Sequence, residues 1–355
     1  MYKPTLFNLV GVLALSVAGS LHAAEIDIYG RAHVSVDQLD DGADYGESNF
    51  SSNSSRIGFR GEKEYGLVTA LLQIEQGVDI STSGGELATR DTFVGLRSDL
   101  GTLRLGKFDT PFKKARGAVN LFGEQIGDMR NMARAGSATV LLDPLDPNSQ
   151  ITLTSRFDER TPNTVHYQTP TYQGMALNIA YSLHEGDSAI QDGRQRVVSS
   201  SVTYVQGKLD AAFAWERHDR DRSGGKRQAF RLASAYKVSD PLRLLAFFQQ
   251  VDHDFDDLDS SVYGVGAEYA LTTATYLKGM YLARDAELEN SDASMLALGI
   301  EHRIDRALRV YLNYASLDNQ DESALTPWRQ GRTLDVDGAA GEVASAVSLG
   351  LRFDF

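Results

Sequence analysis

Residues 342–355, EVASAVSLGLRFDF, alternate in character to the end of the chain. Val343, Ser345, Val347, Leu349, Leu351, Phe353 and Phe355 share one face; Ala346, Ser348, Gly350, Arg352 and Asp354 share the other. Successive side chains of a strand point to opposite faces, so this is a β-strand with one greasy side and one polar side. If the greasy side meets lipid, the polar side cannot, because Arg at mid-membrane costs roughly 2–4 kcal/mol. The polar face must then look into a wet interior.

The same rhythm runs back through the chain. In EIDIYGRAHVSVD, Ile26, Ile28, Ala32, Val34 and Val36 oppose Asp27, Tyr29, Arg31, His33 and Asp37. The acidic, Gly- and Ser-rich stretch DDGADYGESNFSSN then reads as a loop. In SSRIGFRGEKEYG, Ile57 and Phe59 oppose Arg56, Arg60 and Glu62; LVTALLQIEQGVDI sets Ala70, Leu72 and Ile74 against Thr69, Leu71, Gln73 and Glu75, a poorer separation. TRDTFVGLRSDL and GTLRLGKFD follow, and from NTVHYQTP onward ten further strands alternate with turns. The count is sixteen. Short turns such as SDP (residues 239–241) alternate with long polar loops such as RHDRDRSGGKRQ and VDHDFDDLDSS. That one-sided asymmetry predicts an all-β, sixteen-stranded antiparallel transmembrane barrel; a soluble sandwich has no reason to gather its long loops at one end.

One stretch breaks the rhythm. From Thr110 to Asp158 almost fifty residues run without strand alternation, carrying Gly117, Gly123, Gly127 and Gly136, stops at Pro111, Pro144 and Pro147, and a mix of Lys113, Lys114 and Arg116 with Glu124 and Asp128. Loops of such length inside a compact domain are uncommon and usually functional. The expectation is that the rest of the chain builds a wall and this segment folds inside it.

The amino terminus reads as an export signal: Lys3, an apolar run from Leu6 to Leu21, then Ala23 and Ala24 before Glu25. Residues 1–24 are expected to be a leader and residues 25–355 the barrel, with 110–158 inserted. The chain holds no Cys, so an exported protein of this composition must draw its stability from a large closed hydrogen-bond network or a big core. A formal net charge of −13 argues against nucleic acid as a partner. No motif calls for a cofactor or metal: H-E-x-x-H is absent, and YGVGAEY lacks the Lys and the helix of a phosphate loop. No His accompanies a G-x-S-x-G nucleophile, so an outer-membrane barrel enzyme is the weaker reading.

The leader, EIDIYGR, SRIGFRGE, RTPNTVHYQTP and the terminal LRFDF, in that order over the whole mature chain, resemble the general diffusion porins of Gram-negative outer membranes. The resemblance implies a trimeric barrel in outer-membrane lipid whose third external loop, here Thr110 to Asp158, narrows a water path for ions and small hydrophilic solutes. It also implies that Phe355 is read by the outer-membrane assembly machinery. Basic wall residues would face acidic residues of the inserted loop across the path. By motif these are Arg31, Arg56, Arg90 and Arg160 on the wall and Glu124 and Asp128 on the loop, with Lys107, Lys113, Lys114, Arg116, Arg130 and Arg134 as further basic candidates. The inserted loop is longer and more basic at its start than the family pattern, which points toward anions, whereas the external Asp252 to Asp259 run points toward cations. A channel selective for sugars, phosphate or carboxylates is the alternative within the same fold.

Overall fold

The computed structural model describes residues 25–81, 89–141, 150–154, 156–183, 196–219, 225–334 and 336–355. The expected leader, and residues 142–149 and 155 of the inserted segment, lie outside them. In chain order the strands are β1 (Glu25–Asp40), β2 (Gly46–Ser52), β3 (Arg56–Tyr65), β4 (Val68–Gly77), β5 (Thr92–Ser98), β6 (Gly101–Asp109), β7 (Ser137–Leu141), β8 (Gln150–Thr154), β9 (Arg160–Gln168), β10 (Met175–Ser182), β11 (Val197–Gln206), β12 (Leu209–His218), β13 (Arg227–Lys237), β14 (Leu242–His253), β15 (Ser260–Ala270), β16 (Thr275–Ala286), β17 (Ala293–Arg303), β18 (Leu308–Asn319) and β19 (Val343–Asp354). Two four-residue helices, α1 (Pro111–Lys114) and α2 (Arg130–Ala133), lie between β6 and β7.

Seventeen of these strands form one antiparallel sheet, and β1 pairs with β19 to close it. β1 is long enough to pair with β3 along 25–31 and with β2 along 34–40, so β2 and β3 share one place in the wall. Seventeen segments therefore make the sixteen wall positions that the sequence predicts. The correction is at Gly46–Ser52, expected as loop: it is strand, because the far end of β1 offers it an edge, and Phe50 supplies an outward apolar side chain. Pairing of β1 with β19 leaves neither terminal strand with a free edge, as backbone in hydrocarbon requires.

The turns sort by end. Two residues join β3 to β4, β5 to β6 and β11 to β12, and four join β13 to β14, β15 to β16 and β17 to β18. Gly66 and Gly207 take φ of +61° and +62° in two of these, backbone that favours glycine. The long connections all lie at the other end.

Burial is inverted relative to a soluble protein. Ile28, Val265 and Leu349 are each more than 60% exposed, whereas Ser199, Glu216, Arg231 and Ser348 are sealed. An apolar outer band with a polar lining is the signature of a barrel in lipid. One interior sector departs from it: inward positions such as Ala235, Phe247, Met280, Leu282, Met295 and Leu317 are apolar and buried. These are the positions that the segment after β6 covers.

Candidate functional site

After Asp109 the wall stops and the chain crosses inward. Thr110 caps α1, its hydroxyl accepting from Lys113 N–H at 3.2 Å, with Pro111 at the first helical position where no N–H is needed. Beyond α1, Phe122, Ile126, Met129 and Met132 are fully buried and join the apolar wall sector in one core. Gly127 permits the approach: its φ is +75°, and a Cβ there would lie 2.5 Å from that of Ala297.

Wall side chains hold the segment's backbone and polar groups. Arg231 of β13, sealed from solvent, donates to the Phe112 carbonyl at 2.9 Å and to Asp158 at 2.6 Å, so one guanidinium ties both roots of the loop. Lys278 donates to the Leu121 carbonyl at 3.2 Å, Asn313 to Gln125 Oε1 at 2.8 Å, and Gln249 to the Ala133 carbonyl at 2.7 Å. Hydrogen bonds involving a charged group contribute about 1.5–3 kcal/mol each.

Thus held by its apolar face, the segment turns its polar face to the opposite wall. Glu124 sits at φ +66°, uncommon for a residue with a Cβ. It receives Arg31 Nη1 at 2.6 Å and Arg56 Nη1 at 3.4 Å. Burial pushes its carboxyl pKa up, but Arg56, Arg31, Arg90 and Arg130 together outweigh burial and hold it below the usual value of 4.5. Arg56 also lies 3.5 Å from Glu75, which binds Arg90 at 2.5 Å, and Arg160 binds Asp91 at 2.7 Å and Asp109 at 3.0 Å. Arg31, Arg56, Arg90 and Arg160 thus form a row from β1 round to β9, set against Glu124, Glu75, Asp91 and Asp109, with Asp354 bound to Arg31 at its end.

Asp128 sits elsewhere. It is 0% exposed, and its oxygens accept from Glu124 N–H at 2.7 Å, Arg130 N–H at 2.9 Å, Asn120 at 3.1 Å and the Arg130 guanidinium at 2.6 Å. Burial opposes its ionisation, yet Arg130 and these hydrogen bonds lower its pKa to about 2. Asp128 shapes the turn that presents Glu124 and touches none of the four wall arginines.

Two features were missed in the sequence. The 320–342 connection, which reads in the sequence as a polar loop from Asp318 to Gly341, also folds inward: Gly127 N–H donates to the Pro327 carbonyl at 2.6 Å, Gln330 N–H to Asn131 at 2.9 Å, and Arg134 to Gln330 at 2.8 Å. Trp328 is fully buried in the core that holds Phe122 and Met129, and Arg332 pairs with Asp37, both sealed. Leu325, Pro327 and Trp328 inside a polar loop were the available signal. The second is a cavity of about 450 Å³ between the inserted segment and the short-turn end, lined by charged residues of β14 to β19 including Arg243, Arg303, Arg309 and Arg352.

The model of a Gram-negative porin family matches residues 10–322. The chain is 26% identical over 370 residues to outer membrane porin protein 32 of Delftia acidovorans, covering 98% of this chain and 99% of that protein. A chitoporin of Vibrio furnissii is 40% identical over 100 residues, 24% of this chain and 26% of that protein. Among solved structures, an anion-selective porin from Comamonas acidovorans superposes with a TM-score of 0.76 at 21% identity, covering 94% of this chain and all of that one. The trimer form of OmpT of Vibrio cholerae gives 0.66 at 17% identity, covering 94% of this chain and 100% of that one.

Proposed function

This chain belongs to the Gram-negative porin family, an outer-membrane barrel that passes small hydrophilic solutes by diffusion, and from that premise we propose that its channel prefers anions. The observation that carries the preference is the uneven balance of charge along the lumen. In the row from Arg31 to Arg160, four arginines meet Glu124, Glu75, Asp91 and Asp109, with Asp354 shared by Arg31, and the field runs across the path, toward Glu124. On the short-turn side the lining holds Arg31, Arg116, Arg243, Arg303, Arg309 and Arg352, with Arg130 and Lys278, against Glu124, Glu268, Glu301 and the adjoining Asp354, while Asp158 and Asp128 pair with Arg116 and Arg130. A ring or bed of one sign selects the opposite ion without binding it tightly. Acidic external loops set the net charge of the chain but not that of the narrow zone.

In this reading Arg31, Arg56, Arg90, Arg160 and Glu124 line the constriction, and Asp128 supports it from within. The family's members are channels, and the chain is taken to have no catalytic role. Residues 1–24 are a leader removed on export, the barrel assembles as a homotrimer, and Phe355 is the handle for assembly. The test is the purified protein in planar bilayers under a salt gradient. Discrete conductance steps with a reversal potential on the anion side are expected; a cation-side potential would refute the preference.

A further inference from the structure

We propose that the cavity on the short-turn side of the inserted segment is a holding site for small solutes bearing two negative charges. It rests on the anion-preferring reading of the lumen and adds to it a saturable site with a defined ligand class. The place is fixed by topology. Arg243 follows the turn after β13, Glu268 precedes the turn after β15, Arg303 and Arg309 flank the turn after β17, and Arg309 pairs in register with Arg352.

Six cations, Arg31, Arg243, Lys278, Arg303, Arg309 and Arg352, share the wall carboxylates Glu268, Glu301 and Asp354, with Glu124 of the loop as a fourth. Each wall carboxylate is divided. Glu301 takes Lys278 at 3.3 Å, Arg303 at 2.8 Å and Arg309 at 3.7 Å. Asp354 takes Arg31 at 2.6 Å, Arg352 at 2.9 Å and Arg309 at 3.4 Å. Glu268 takes Arg243 and Arg303, both at 3.7 Å.

Two consequences follow. Six cations against four carboxylates leave an excess of two positive charges in one cavity. The three contacts at 3.7 Å lie beyond hydrogen-bond reach, so Arg303 and Arg309 have N–H groups not spent on those carboxylates, as does Arg243, whose Nη2 donates to the Ala118 carbonyl of the inserted segment. Guanidinium forks match the paired oxygens of carboxylate and phosphate. A solute with two anionic groups neutralises the excess and accepts those donors, whereas a mono-anion does half of this. The cavity of about 450 Å³ admits a small dicarboxylate or a phosphate dianion with its water. The carboxylates already in the bed keep the hold weak enough for release, as throughput requires.

The test is single-channel conductance of the whole protein in KCl at constant ionic strength and pH 8, titrated with succinate, inorganic phosphate or acetate. Succinate and phosphate should reduce the current saturably, with half-effect at millimolar order, and acetate at least about tenfold more weakly. Arg303→Gln combined with Arg309→Gln should raise the half-effect concentration of both dianions about tenfold; Arg306→Gln, in the exposed turn between them, should leave it unchanged. Block that never saturates, acetate equal to succinate, or an Arg306→Gln effect as large as the double variant's would each overturn the site. An anion-side reversal potential with no dianion block removes the site and leaves the channel reading intact. A cation-side potential removes both.

Discussion

Replacing Glu124 by Gln removes one negative charge from the point where the inserted segment meets the wall, and keeps the shape of the side chain. Glu124 bridges Arg31 and Arg56 at 2.6 and 3.4 Å, so the change leaves these arginines with Asp354 and Glu75 as their remaining carboxylates. An ion passing about 6 Å away in water-like dielectric interacts with that lost charge by about 0.7 kcal/mol, and by about half of this once screened at 0.1 M salt. A cation thus loses, and an anion gains, a factor of roughly two to three, so the anion-to-cation permeability ratio should rise about four- to tenfold. The assay is the reversal potential across a tenfold salt gradient, at two salt concentrations so that the screened part shows itself. An unchanged ratio at both would mean that Glu124 does not face the path, and the constriction would have to be sought elsewhere. Asp128→Asn is the companion. It removes an equal charge from a sealed position, and is expected to act through loop geometry, as noisier conductance, and less through the ratio.

Arg231→Met breaks a fully buried pair and should cost the loop about 3–5 kcal/mol of anchoring, because among the described residues Asp158 keeps only Arg116, at 3.2 Å, as an ion-pair partner. Faster proteolysis within residues 110–158 of the folded barrel, with wider conductance fluctuations, is the expected result; wild-type behaviour in both would show that the other anchors suffice. Trp328→Ala empties a site packed against both inward segments, and should cost about 3–5 kcal/mol and lower the unfolding temperature of the detergent-solubilised barrel. An unmoved transition would show that the last loop is not part of the core. Selectivity should hold steady from pH 7 down to about 4.5 and drift toward anions only below that, because the Glu124 pKa is held beneath its ordinary value. The sign for stability is the same: a depressed folded-state pKa gives stabilisation present above pH 4.5 and lost as pH falls through the lowered value. A selectivity change already complete by pH 5 would contradict this.

The ordering of faces was legible because it is local. A strand's pleat sends alternate side chains to opposite sides, so Leu349 and Arg352 declare their surroundings without knowledge of any neighbour. Sixteen such segments, with turns sorted into short and long, suffice for the barrel, and the break in rhythm at Thr110 marks the inserted segment. The same parity sets Arg31 and Arg56 on the polar faces of their strands. Gly46–Ser52 was not, since its polar composition suits a loop and only the overhanging end of β1 makes it a strand.

Which charges meet is a different kind of fact. Arg31 and Glu124 are 93 positions apart, Arg31 and Asp354 are 323 apart, and nothing local joins them. Glu124 and Asp128 look alike in FGEQIGD, yet one faces the wall arginines and the other is folded into its own turn, a difference set by Gly127, Arg130 and the apolar residues that decide which side of the segment is glued down. The sequence alone determined a cylinder with lipid outside and water inside, because polarity in a strand is written residue by residue. Only closure of that cylinder decided the meeting of Glu124 with the wall arginines, the inward last loop and the arginine-rich cavity, because ion pairs and core contacts belong to residues brought together across the lumen.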